Sequence, residues 1–300
     1  MAPIETRFIP ANGLYFEVEQ CGQGDRLALC LHGFPECSYS WHHQMPLLAD
    51  QGYRVWAPNL RGYGRSSRPS KVAAYRTNHL LADMVALIKA SRCRSVLLIG
   101  HDWGAALAWL FAINKIHSLE GLIIMNVPHP APFLTSLTTW RQLRKSWYIL
   151  FFQIPWFPEW LLSRHNAWLL GKTIRYLAVN KDRFPPEVIH IYRRNAAQPG
   201  ALRAMINYYR ALFRELPWRK YHGYLPLIEI PTLMIWGEED LALGKETTYG
   251  TERYVSDLTL HYLPGISHWV QQEAPEQVNS IIIEWLARKK LKPAHPVAQR

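Results

Sequence analysis

Short apolar runs alternate with stretches of helical spacing along the first 127 residues. Residues 14–19 read as an edge strand, and Leu27-Ala28-Leu29-Cys30-Leu31 is an apolar run that ends in a glycine turn. A strand over 54–57 is stopped by Pro58, whose ring cannot donate to a ladder. Leu80, Leu81, Met84, Leu87 and Ile88 recur at helical intervals and share one face. Ser95-Val96-Leu97-Leu98-Ile99 predicts a buried strand, 105–116 a helix and 119–127 the next strand. Strands that are apolar throughout have no wet face, so the alternation predicts a mostly parallel sheet with helices on both sides.

The rhythm stops at Pro128-His129-Pro130-Ala131-Pro132. From there to Lys220 the chain is aromatic-rich, with helical spacing and no strand. Strand–helix alternation resumes at Thr232-Leu233-Met234-Ile235-Trp236 and at 258–263. A last helix runs from about Pro275 to Lys289 with Val278, Ile281, Ile282 and Trp285 inward, and Pro275 suits its first turn. The tail after Lys292 is expected to fray. The expected organisation is an α/β core built from 1–128 and 221–300, with 129–220 inserted as a helical unit.

At 300 residues, 49% hydrophobic and 19% charged, the chain can bury a large core without disulfides or a structural metal. Cys21, Cys30, Cys37 and Cys93 lack metal-ligand spacing and are expected to be free thiols in a reducing compartment. The first ten residues hold no apolar leader, and the most apolar window, 147–162, is interrupted by Pro155, Pro158 and Glu159. A cytoplasmic protein with no transmembrane span is the expectation. The net charge is +11, and residues 129–220 alone hold 15 Lys and Arg against 4 Asp and Glu, so the excess lies wholly in the insertion. There the charges are interleaved with Trp, Tyr, Leu and Phe, as on solvated faces of amphipathic helices; an anionic surface or partner is the other reading. No nucleic-acid-binding motif is present, and nucleic acid is not an expected partner. The pairs Gly22/Gly24 and Gly62/Gly64 lack a third glycine, and no phosphate loop or metal-ligand spacing occurs. No cofactor and no metal are therefore expected.

The chemistry concentrates at Gly100-His101-Asp102-Trp103-Gly104, between a strand and a helix. Small residues at both ends permit a sharp turn that lifts the central side chain above the sheet. Serine commonly occupies that position, whereas here it is Asp102. A carboxylate can displace a leaving group from saturated carbon, forming an alkyl ester that water then cleaves at its carbonyl. Epoxides and alkyl halides suit such a site; peptides and ordinary esters do not. The competing role for Asp102 is a turn aspartate or helix N-cap without catalysis. Cleavage of the ester needs a base and an acid to orient it. His268, in Gly265-Ile266-Ser267-His268-Trp269 beyond a strand end, is the candidate base. Asp240, in Gly237-Glu238-Glu239-Asp240, is the candidate acid, with Glu238 and Glu239 expected to face solvent. For the oxyanion, the amides of Phe34, in His32-Gly33-Phe34-Pro35, and of Trp103 are the expected donors, with Phe34 as turn packing the other possibility.

The motifs His32-Gly33-Phe34-Pro35-Glu36, Arg61-Gly62-Tyr63-Gly64, the Asp102 turn and the His268 loop together resemble the epoxide hydrolases of the α/β-hydrolase superfamily. The resemblance spans nearly the whole chain and keeps the order nucleophile, acid, histidine. Phe151-Phe152-Gln153-Ile154-Pro155-Trp156-Phe157-Pro158-Glu159 is similar to an animal branch that carries an N-terminal membrane anchor, which this chain lacks. The resemblance implies an α/β-hydrolase fold with a helical cap, a small apolar epoxide as substrate and a vicinal diol as product. It also implies two cap tyrosines that bind and protonate the epoxide oxygen. Motif matching puts these at Tyr148 and Tyr209, with Tyr208 as the one-residue alternative to the second. Trp103, Tyr148 and Tyr209 would then contact substrate. A dimer is compatible with this reading. Other readings are a haloalkane dehalogenase on the same nucleophile, acid and base, and a binding protein without turnover.

Overall fold

Leu27, Leu29 and Leu31 point to one side of a central strand while Ala28 and Cys30 point to the other, and all five are fully buried. Such two-sided burial requires neighbours on both edges and layers on both faces. The computed structural model, which describes residues 3–136, 139–215 and 225–291, supplies both. Its strands are β1 (Glu5–Ala11), β2 (Leu14–Cys21), β3 (Arg26–Leu31), β4 (Arg54–Pro58), β5 (Ser95–His101), β6 (Gly121–Met125), β7 (Thr232–Gly237) and β8 (Leu258–Leu263). They form one sheet in the order β1-β2-β4-β3-β5-β6-β7-β8. From β4 to β8 every pairing is parallel, whereas β2 runs antiparallel to both of its neighbours.

The expectation that 14–19 forms an edge strand is therefore corrected. β1 occupies the edge, joined to β2 by a two-residue turn at Asn12-Gly13, whose φ angles are 50° and 72°. Positive φ at both turn positions suits Asn-Gly in a tight hairpin. β1 escapes an apolar pattern because most of the strand, Phe8 included, is exposed.

Helices cover both faces. On one side α2 (Thr77–Ser91) and α3 (Trp103–Ile113) bury Leu80, Met84, Leu107 and Phe111 against Leu29 and Leu98. On the other, α1 (Gln44–Asp50) and α11 (Pro275–Arg288, with Pro275 in its first turn) bury Met45, Leu48, Val278 and Trp285 against Cys30, Ile99 and Ile123. The four cysteines are free, and three of them are buried.

Between β6 and β7 lies the helical insertion: α4 (Pro130–Ser136), α5 (Trp140–Lys145), α6 (Trp147–Phe151), α7 (Phe157–Leu177), α8 (Pro186–Ala196) and α9 (Ala201–Glu215). A break at residues 164–167 interrupts α7. The insertion is seated on the core through α9, where the Tyr208 hydroxyl donates to the Arg61 carbonyl at 2.9 Å. Arg61 is itself held by a buried two-pronged pair with Asp83 of α2, at 2.6 and 2.7 Å. The short α10 (Val270–Glu273) follows the His268 loop. The expected cap limit at Lys220 and the tail after Lys292 lie outside the described residues.

Candidate active site

β5 ends at His101 and α3 begins at Trp103, so Asp102 alone makes the turn, at φ 48° and ψ −121°. A non-glycine residue at positive φ is strained by roughly 1–2 kcal/mol. The close passage of α3 over the sheet imposes it. A Cβ on Gly104 would lie 2.0 Å from the Leu31 carbonyl oxygen, and one on Gly100 would lie 2.6 Å from the Ala105 nitrogen. The Asp102 side chain makes no capping bond to α3. Its Oδ1 accepts instead from the Phe34 amide at 2.6 Å. Gly33 clears the space, because a Cβ there would sit 2.2 Å from Oδ1. Trp103, the other expected oxyanion donor, carries the first N–H of α3, for which no preceding turn supplies an acceptor.

The loops after β7 and β8 bring Asp240 and His268 to the same place. His268 Nε2 lies 3.7 Å from Asp102 Oδ2, an ion-pair contact, and Nδ1 donates to Asp240 Oδ2 at 2.6 Å. Asp240 is buried, and its Oδ1 accepts from the amides of Ala242 and Leu243 at 2.8 and 2.9 Å. Burial pushes the carboxyls of Asp102 and Asp240 up, but the imidazole between them and their amide donors outweigh it, so both titrate below the usual carboxylate range. Burial likewise disfavours a charged His268, yet Asp240 and Asp102 overcome this and hold it well above an ordinary histidine. The ring thus sits between two carboxylates that both favour its protonated form. Of the two other acids near Asp240, Glu238 pairs with Lys245 and Glu239 faces solvent.

Supports absent from the sequence reading hold this group. Asn126, at the end of β6 and at φ 48°, donates through Nδ2 to Asp240 Oδ2 at 2.8 Å and accepts from the Gly237 amide at 2.9 Å. The His268 carbonyl accepts from His101 Nε2 at 2.9 Å, while His101 Nδ1 meets Glu36 at 2.8 Å. From the insertion, Gln142 donates to the Ala242 carbonyl at 3.0 Å and accepts from the Gly244 amide at 3.2 Å. Lys145 donates to the Asp240 carbonyl at 2.9 Å. Asn126 offered one sequence signal, an asparagine where a strand stops, since Asn tolerates left-handed backbone. Nothing in the pattern singled out Gln142 or Lys145.

Above Asp102 the insertion places an aromatic cluster. The Tyr209 ring lies 5.5 Å from Phe34, 5.0 Å from Trp103, 4.9 Å from Phe152 and 5.9 Å from Tyr148. Burial, and then the negative charge of Asp102, raises both the Tyr148 and the Tyr209 hydroxyls above the usual phenol value. Tyr208 points the other way, its hydroxyl committed to Arg61. Among the described residues no cluster of three or more His, Cys, Asp or Glu could hold a metal ion.

Fold and site together define a strand–turn–helix of the hydrolase kind with an aspartate at its tip, where serine is common. A sequence profile of the alpha/beta hydrolase fold matches residues 29–275. The AB hydrolase superfamily protein YfhM of Bacillus subtilis (strain 168) is 38% identical over 289 residues, which is 95% of this chain and 99% of that protein. Epoxide hydrolase 4 of Mus musculus is 37% identical, with 93% of this chain and 78% of that protein aligned. Among solved structures, a mutant epoxide hydrolase from Bacillus megaterium complexed with its product, a naphthyloxy-propane-diol, superposes with a TM-score of 0.86 at 31% identity, covering 94% of this chain and 100% of that one. The chain belongs to the α/β-hydrolase family and, within it, to the epoxide hydrolases.

Proposed function

We propose that the protein opens an apolar epoxide to a vicinal diol in two steps, without a cofactor. The observation that carries this reading is a single geometry: the carboxylate of Asp102 with an amide on one oxygen, the His268 ring 3.7 Å from the other, and two tyrosines in the roof. Oδ2, which no amide holds, attacks an epoxide carbon. The C–O bond breaks toward oxygen, and Tyr148 and Tyr209 donate a proton to it, since a free alkoxide is a poor leaving group. Phe34, Trp103 and Phe152 give an apolar wall to the substrate.

Ester formation consumes the Asp102 charge. His268 then faces one carboxylate instead of two, holds its proton less firmly and gives it up, through solvent, to the tyrosinate left by ring opening, which restores the phenol and leaves the ring a base for water. Asp240 keeps the ring oriented through Nδ1. Water attacks the ester carbonyl carbon as Nε2 takes its proton, and the oxyanion forms on Oδ1 between the Phe34 and Trp103 amides. Collapse expels the alkoxide, which takes the proton from His268, and the carboxyl left on Asp102 passes the water's second proton to the ring, restoring carboxylate and imidazolium. The epoxide hydrolases among the relatives, one of them solved with a diol product, support the same outcome.

The deciding assay offers the purified protein aryl and alkyl epoxides beside 1-haloalkanes, without added metal. Diol formation without halide release is the expected result. Halide release alone would transfer the chain to the dehalogenases, and neither product from folded protein would favour a binding role.

A further inference from the structure

A second surface of the insertion takes no part in this chemistry and has no folding reason to look as it does. Among the described residues every exposed tryptophan lies between 140 and 168, and Trp147 and Trp156 are 63% and 75% exposed. The exposed rings meet around the half-buried Phe151, which packs on Trp147 at 5.9 Å and on Phe157 at 6.1 Å, and Phe157 stacks on Trp160 at 5.8 Å. The Arg164 guanidinium covers Trp160 at 4.8 Å. Trp156 borders an open groove that it shares with Arg203, Arg210 and Arg214. Arg210 is neutralised by Glu159, but Arg203 and Arg214 have no hydrogen-bond or carboxylate partner among the described residues. Trp156 is also held at φ 52°, a strained left-handed backbone that turns an indole into water.

We propose that this aromatic and basic face docks the protein peripherally on an anionic lipid bilayer. Indole rings settle at the boundary between headgroups and acyl chains, and unpaired arginines beside them attract anionic headgroups. The same chemistry argues against a second copy as occupant. Residues 129–220 carry 15 basic and 4 acidic side chains, so two such faces would meet with like charge. The inference is independent of the proposed reaction, and its readout is binding alone.

The experiment is co-sedimentation of the full chain with vesicles of phosphatidylcholine, or of phosphatidylcholine with phosphatidylglycerol. It is run at about 0.1 M and about 1 M salt, where the screening length shrinks from about 10 Å to about 3 Å. The protein should sediment with the anionic vesicles at low salt and be released at high salt. Arg203→Gln and Arg214→Gln should each weaken partitioning about fivefold. Trp147→Ser with Trp156→Gly should weaken it further without lowering the thermal melt, since both positions are exposed and glycine at 156 also relieves the positive φ. Failure to sediment at low salt overturns the proposal, as does binding that ignores both arginine changes. A concentration-dependent dimer that Trp147→Ser dissolves, without vesicle binding, assigns the face to a second copy and overturns it too.

Discussion

Replacing Asn126 by glycine separates what its side chain does from what its backbone does. Glycine accepts the 48° φ without strain and deletes all three side-chain bonds, those to Asp240 at 2.8 Å and the Gly237 carbonyl at 3.4 Å and the one from the Gly237 amide at 2.9 Å. A hydrogen bond to a buried charged group contributes about 1.5–3 kcal/mol, and an orphaned buried amide costs about 1–3 kcal/mol. Global stability should therefore fall by about 2–4 kcal/mol, read by urea unfolding. Asn126→Ala should lose about 1 kcal/mol more, because alanine does not tolerate the left-handed backbone. In the reaction, the Asp240 bond matters most when His268 becomes an imidazolium during water attack. Losing about 1.5–3 kcal/mol there slows ester hydrolysis by about one to two orders of magnitude. Ester formation, which begins with the imidazolium in place, should slow less. Single-turnover quench with intact-mass detection resolves the two rates. Ester hydrolysis at the wild-type rate in Asn126→Gly would refute the role assigned to this residue, and equal stability of the glycine and alanine variants would refute the backbone argument.

Tyr209→Phe should lower turnover about 100-fold by removing a proton donor, whereas Tyr208→Phe should cost about 1 kcal/mol of stability and leave turnover within a few-fold; the reverse pattern in steady-state kinetics exchanges the two tyrosines. Gln142→Leu leaves the Ala242 carbonyl and Gly244 amide unpaired and should lower kcat with little change in KM. That loss should vanish in an Asp240→Asn background if Gln142 acts through the acid loop, and persist if it is merely structural. His32 and His129 are fully buried, and burial holds both down to about 4 from the ordinary 6.5. The unfolded chain takes up their protons first as the pH falls, so stability is lost on acidification through the window from 6.5 to 4, by about 2 kcal/mol per histidine between pH 7 and pH 5. Urea midpoints of His129→Phe should show that much less acid loss than wild type; an unchanged slope with pH would show that His129 is not held neutral.

The strand–turn–helix at Asp102 was legible because its tight geometry demands small residues at fixed positions. Gly100 and Gly104 are the residues without a Cβ to strike Ala105 and Leu31, and a strand and a helix flank them. The loops carrying Asp240 and His268 follow apolar strands whose parallel pairing brings their ends to one side of the sheet, so order along the chain anticipated nearness in space. β1 was not legible from apolar periodicity, since it buries almost nothing; its signal was the Asn12-Gly13 turn. Gln142 and Lys145 act on the acid loop across about a hundred residues of chain, and no local pattern reports a hydrogen bond that only the closed insertion creates.

The central claim is that Asp102 becomes an ester, and the most direct test is the intact mass of His268→Gln after exposure to a substrate that the wild-type protein turns over. The account predicts a stable adduct of one substrate molecule, mapped by peptide digestion to Asp102 and absent in Asp102→Ala. An unmodified mass, or an adduct on any other residue, would contradict it.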